Sequence, residues 1–237
     1  MVQRPELVFF GDSLTEAWRG TDHCRPCNTT YRTGCTRLPA LFASLYGRYH
    51  AAALGIAGDQ AANLIWRLQH GQLPERHQPK VAVLLIGIND LGAAAADKGG
   101  QAAAWALAAA VHGVADRVWQ AVRVLRHGMP AAHVVVLGLL PRGTGSGDVS
   151  LPVEQADHRW PSEYTEALSG VNRRLRKLTS RDSSGRVHFL DCSQRFLATI
   201  NKRRSIDPAL MPDALHPSAE GYQQLARCLK PLLAKLL

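Results

Sequence analysis

The sequence predicts an α/β protein, a parallel sheet held between two layers of helices. Three observations predict it. Five short β-rich runs, at residues 7–10, 51–54, 81–86, 133–137 and 187–190, are continuously apolar rather than alternating, as strands buried on both faces read. Segments of helical periodicity lie between them. Strands that alternate with helices need crossovers, which are right-handed and put helices on both faces of the sheet. The expectation is a three-layer α/β/α sandwich with five parallel strands, formed by residues 1–237 as one domain. A chain of 237 residues suits one large domain and buries most of its unfolded surface without a staple.

The elements follow in order. The first run, Val8-Phe9-Phe10, stops at Gly11-Asp12-Ser13-Leu14. After the second run, Leu64, Ile65 and Leu68 mark a helix face, with Asp59 read as its cap. After the third, Leu107, Val111, Val114, Val118, Val122 and Leu125 repeat at helical steps until Gly128 and Pro130 stop them. Leu168, Val171, Leu175 and Leu178 mark the next helix. Tyr222, Leu225, Leu229, Leu232 and Leu236 mark the last, where Pro231 is expected to kink it. Two irregular stretches, near 21–36 and 143–161, are long for connections and are expected to form rim loops.

Composition narrows the function. Hydrophobic residues are 46% and charged residues 20%, a globular balance, and no apolar stretch reaches the roughly 18–20 residues of a membrane span. The N-terminus enters its strand without a basic region and an apolar stretch before it, so no signal peptide is expected and the cytosol is favoured. The formal charge is +9, from 28 Lys+Arg against 19 Asp+Glu. Arg173-Arg174-Leu175-Arg176-Lys177 and Lys202-Arg203-Arg204 hold much of it. An anionic membrane surface or nucleic acid would be attracted. The first cluster lies in a helical pattern, though, and reads as a solvated face; with no aromatic stacking motif beside it, no nucleic-acid partner is expected. Of five Cys, Cys24, Cys27 and Cys35 cluster in a polar stretch, while Cys192 and Cys228 sit in apolar surroundings. A Cys-x-x-Cys pair serves zinc or a disulfide. Only His23 is near as a further zinc ligand, so a disulfide within this loop is preferred and no metal is expected. The odd count leaves at least one thiol free.

In an open parallel sheet ligands bind beyond the carboxyl ends of the strands. The segments that follow the strands are Gly11-Asp12-Ser13, Gly55-Ile56-Ala57-Gly58-Asp59, Gly87-Ile88-Asn89-Asp90 and Leu139-Leu140-Pro141-Arg142-Gly143; Asp213-Ala214-Leu215-His216-Pro217 precedes the last helix. Acyl transfer needs a nucleophile, a base, an orienter for the base and donors for the oxyanion. Ser13 can attack. His216 can take its proton. Asp213, three residues earlier, can hold the ring. The backbone N–H of Ser13, the N–H at Gly58 and the side-chain amide of Asn89 can form an oxyanion hole. Each residue also has a plainer role: Ser13 as a helix cap, Gly58-Asp59 as turn and cap, Asn89-Asp90 as turn formers, His216 as a surface residue. Four such coincidences at one rim would be required, so catalysis is the stronger account. No phosphate-binding glycine motif is present, and the other histidines have no comparable neighbours.

These blocks resemble the SGNH, or GDSL, hydrolases: Gly11-Asp12-Ser13-Leu14, the Gly58 turn, Gly87-Ile88-Asn89, and Asp213-Ala214-Leu215-His216 match in order. Within that superfamily the likeness is to the catalytic α subunits of platelet-activating factor acetylhydrolase Ib. It is carried by Leu54-Gly55-Ile56-Ala57-Gly58-Asp59, by Leu64-Ile65-Trp66-Arg67-Leu68 with Gly71, by Pro79-Lys80-Val81, and by Val136-Leu137-Gly138-Leu139-Leu140-Pro141-Arg142-Gly143. The resemblance implies a flavodoxin-like sheet, a metal-free and cofactor-free serine esterase mechanism, the roles above for Ser13, Gly58, Asn89, Asp213 and His216, and a homodimer. The two rim inserts depart from the family pattern. The expected substrate is a carboxylic ester with a short acyl group, because Leu14, Ile88 and Leu215 adjoin the reacting residues and crowd the acyl side. Arg142 is expected either to meet an anionic group at the rim or to form a structural ion pair, and Asp12 to shape its turn. Rival functions are a long-chain lysophospholipase or thioesterase, a carbohydrate O-acetylesterase, and a non-catalytic scaffold binding through its basic surface.

Overall fold

Five strands form the central sheet: β1 (Leu7–Gly11), β4 (Ala52–Gly55), β5 (Val81–Leu85), β6 (His133–Leu137) and β7 (Val187–Leu190). The computed structural model describes residues 4–27, 33–74, 77–144 and 156–237. The spatial order is β4-β1-β5-β6-β7, all parallel, with Phe9 opposite Ala53 on one side and Val83 on the other. Every residue of β1 and β5 is buried, which is why those runs show no alternation.

Among the described residues seven α-helices surround the sheet: α1 (Ser13–Glu16), α2 (Leu38–Tyr46), α3 (Ala61–Arg67), α4 (Ile88–Ala95), α5 (Gly100–Gly128), α6 (Thr165–Ser180) and α7 (Ala219–Leu236). α5 packs against α3, α4 and α6, while α2 packs against α7. Because the chain steps from β1 to β4 in one direction and from β4 to β5, β6 and β7 in the other, right-handed crossovers assign these two groups to opposite faces, giving three layers. The reversal leaves a crevice at the carboxyl ends of β1 and β5, where such sheets bind ligands.

Several local expectations are corrected. Gln60, not Asp59, is the cap residue of α3: its N–H donates to the side-chain oxygen of Asn63 (2.9 Å) and its carbonyl accepts the N–H of Asn63 (3.1 Å). Asp59 is taken by Arg67 at 2.6 Å. The expected last helix is present as α7, with Pro231 inside it. The insert near 21–36 opens with a short hairpin, β2 (Thr21–Asp22) and β3 (Arg25–Pro26); its residues 28–32, and residues 145–155 of the second insert, lie outside the described residues. A second hairpin, β8 (Leu197–Ile200) with β9 (Arg203–Ile206), carries Lys202-Arg203-Arg204.

Cys27 is bonded to Cys35, Cys192 to Cys228, and Cys24 is a free, exposed thiol. The disulfide expected among Cys24, Cys27 and Cys35 is therefore present, and Cys192 and Cys228 form another.

At the amino end of β6, His133 Nδ1 and His188 Nε2 lie 3.0 Å apart. Sharing one proton requires at least one neutral ring. Burial lowers the pKa of both rings, and for His133 the neighbouring His188, Arg186 and Arg126 lower it further, while Asp182 opposes the shift at His188. Both folded-state values thus lie below the unfolded value near 6.5, so their contribution to stability is complete above that pH and is lost as pH falls below it. Thermal unfolding at about pH 5 and about pH 7.5 should show a lower melting temperature in acid, with a smaller gap in His188→Leu; an unchanged gap would dismiss the pair as the cause.

Candidate active site

The strand β1 delivers Gly11-Asp12-Ser13 to the crevice. Asp12 is the cap of α1, accepting the N–H of Leu14 at 3.0 Å. It is fully buried, and burial, with the nearby carboxylates of Asp59 and Asp90, pushes its pKa up to about 7 against that hydrogen bond. A cap buried in this way shapes the turn. Ser13 opens the helix, 6% exposed. The α1 turn is pinned from α7, whose Tyr222 hydroxyl donates to the carbonyl of Leu14 at 2.7 Å.

Ser13 Oγ lies 3.0 Å from His216 Nε2, although 203 residues separate them. His216 Nδ1 lies 2.6 Å from Asp213 Oδ2. The other oxygen, Oδ1, accepts the N–H groups of Leu215 (3.0 Å) and His216 (2.6 Å). Burial opposes charge on Asp213, but the ring and N–H of His216 and the N–H of Leu215 outweigh it and hold the carboxyl well below the usual range. A permanently ionised Asp213 keeps the proton on Nδ1, leaving Nε2 as an acceptor toward Ser13. The loop is anchored by the N–H of Gly143, which donates to the carbonyl of Ala214 at 2.8 Å.

Gly58 and Asn89 flank the same crevice. Gly58 has φ +84°, the left-handed region that favours glycine, and a Cβ there would meet only His23 Nε2, at 4.0 Å. The backbone conformation, not lack of space, is what calls for glycine. Asn89 donates one amide hydrogen to the carbonyl of Asp59 at 2.9 Å, which orients the amide and leaves its second hydrogen for a ligand. Asp59 is held in turn by Arg67, whose Nη2 also donates to the carbonyl of Gly11 at 3.1 Å. One guanidinium thus ties the end of β1 to the loop after β4.

The sequence reasoning missed Glu16. It is fully buried in α1 and accepts from the Thr21 hydroxyl (2.8 Å), the N–H of Cys24 (2.7 Å) and the N–H of Ala57 (2.6 Å). It fixes the peptide next to Gly58 and fastens the first insert to the same crevice. A buried acid satisfied by backbone donors carries no periodic signal; only its place in an otherwise buried turn sets it apart. His23, given no role from sequence, stands beside Gly58 through the same hairpin. Asp90 belongs to the scaffold, accepting the N–H of Ala61 at 2.8 Å and pairing with Arg117 at 3.0 Å.

Arg142 does not present its charge at an open rim. It is 8% exposed, donates to the carbonyl of Ile88 at 3.1 Å and lies 4.7 Å over the ring of Tyr164. Leu14, Ile88 and Leu215 are also buried, at 2%, 2% and 4% exposure. Among the described residues no group of His, Cys, Asp and Glu is placed to hold a metal ion.

A serine, an imidazole and a carboxylate thus stand in hydrogen-bonded sequence at the switch point of an α/β/α sheet. The chain belongs to the GDSL-like lipase/acylhydrolase family, whose model matches residues 9–224. It is 29% identical over 237 residues to the platelet-activating factor acetylhydrolase IB subunit alpha1 of Bos taurus, a match covering 99% of this chain and 78% of that one. It is similar in fold to a GDSL-like lipase from Bacteroides thetaiotaomicron, with a TM-score of 0.62 and 16% identity over 98% of this chain and 88% of that one. It is also similar to an acetylxylan esterase from Geobacillus stearothermophilus, with a TM-score of 0.57 and 16% identity over 97% and 94% of the two chains.

Proposed function

We propose that this chain is a serine esterase cleaving short-acyl carboxylic esters, with Ser13 as nucleophile, His216 as base and Asp213 as its orienter. The observation that carries this reading is the unbroken path from Ser13 Oγ to His216 Nε2 (3.0 Å) and from His216 Nδ1 to Asp213 (2.6 Å). His216 takes the Ser13 proton as Oγ attacks the ester carbonyl. The developing oxyanion is met by the N–H groups of Ser13 and Gly58 and the amide of Asn89, each donor contributing about 2.7–4 kcal/mol to the barrier reduction. Collapse expels the alcohol, which leaves with the proton from His216, and forms an acyl-Ser13 ester. Water, deprotonated by His216, then releases the acid and restores Ser13. No metal or cofactor is needed for any step.

The acyl preference rests on Leu14, Ile88 and Leu215, apolar and buried residues that adjoin the reacting residues in sequence. p-Nitrophenyl esters from acetate to palmitate test it: kcat/KM should be highest for acetate and fall by about tenfold or more on lengthening the chain. Highest turnover of a long-chain ester overturns the short-acyl preference. Failure of a fluorophosphonate probe to label the chain overturns the serine mechanism itself.

A further inference from the structure

A cleft of about 550 Å³ opens between α2, with the turn after it, and the second half of α7. This is the size range of small-molecule sites. The cleft is not the Ser13 crevice. The carbonyl of Tyr49 accepts the N–H of Glu6 just before β1, so this end of α2 lies at the amino ends of the strands, away from the carboxyl-end rim.

Two features of the cleft converge. Leu41, Leu45 and Leu233 give it an apolar wall. Arg48, Arg227 and Lys230 also line it, and all three are exposed. Arg48 lies 4.6 Å over the ring of Tyr49, and among the described residues none of the three cations is paired with a carboxylate. Tyr46 belongs to the cleft floor rather than to its polar lining: it is 4% exposed and its ring packs inward on Phe9, Trp18 and Phe42.

We propose that this cleft binds a single-tailed anionic amphiphile, a fatty-acid carboxylate, with its tail along the leucines and its head among Arg48, Arg227 and Lys230. A neutral lipid would leave the cations unmatched. A bare inorganic anion would leave the leucine wall wet. The site does not depend on the esterase chemistry proposed above, and its test does not read that chemistry.

Isothermal titration of the full chain with sodium dodecanoate, kept below its micelle concentration, measures the binding directly. Saturable binding is expected, weaker by about tenfold or more for acetate, which lacks the tail, and for dodecyltrimethylammonium, which reverses the head. The pair Arg227→Glu with Lys230→Glu lies on the exposed face of α7 and should weaken dodecanoate by about a hundredfold, with turnover of p-nitrophenyl acetate unchanged. Dodecanoate binding that survives the charge reversal would place the ligand elsewhere, at the Ser13 crevice for example, and overturn the proposal. So would binding only as micelles form, equal affinity for the cationic amphiphile, or no binding.

Discussion

Ser13→Ala should lower kcat for p-nitrophenyl acetate by about a millionfold, the loss seen when the nucleophile of a serine hydrolase is removed. What remains should be a small acceleration over water, since the oxyanion donors and the substrate pocket survive the change. The fold should hardly respond. The substitution removes one hydrogen bond, to His216, of net value about 1 kcal/mol. It leaves the Asp12 cap and the Tyr222 contact to Leu14 in place. A melting temperature within a few degrees of wild type, together with abolished turnover and abolished fluorophosphonate labelling, is the expected set. Retained turnover in a folded variant would remove Ser13 from the chemistry and revive the scaffold as the rival function.

How much of this was visible in the chain depends on how local each feature is. The five strands were legible because burial on both faces writes a run of apolar residues into the sequence, and β1 and β5 are buried at every position. The rim residues were legible for a related reason: once the strands are placed, each following turn must lie at one edge. The spacing from Asp213 to His216 is local and could be read directly. The cap of α3 was misread because Asp59 has the chemistry of a cap but is engaged by Arg67 eight residues on, a choice that tertiary structure makes. The hairpin β8–β9 escaped because it is two short strands, mostly half-buried or exposed, and its turn at Asn201-Lys202 takes positive φ without a glycine to announce it. The bond between Cys192 and Cys228 joins residues 36 apart that no spacing rule connects. Glu16 was hidden for the opposite reason. A glutamate in a short turn reads as solvent-exposed, and only the folded chain gathers Thr21, Cys24 and Ala57 around it.

Asp213→Asn should cost about four orders of magnitude in kcat/KM at neutral pH, near 5.5 kcal/mol, the loss expected when the imidazole is held in the wrong tautomer. The reason lies in how the two carboxylate oxygens are used. Oδ1 accepts two backbone N–H groups, from Leu215 and His216. In an asparagine only the carbonyl oxygen can accept, so it must occupy that position. The NH2 group then falls where Oδ2 now meets His216 Nδ1 at 2.6 Å. An NH2 donates and cannot accept, so Nδ1 must become the acceptor and the ring proton must move to Nε2. His216 would then present an N–H to Ser13 Oγ and could not take its proton. The geometry would survive while the chemistry fails, and this separates Asp213 from a merely structural residue: a structural role predicts lost stability with turnover largely kept. Kinetics on p-nitrophenyl acetate beside thermal unfolding decides between them. A variant with turnover near wild type would show that His216 finds its tautomer without Asp213.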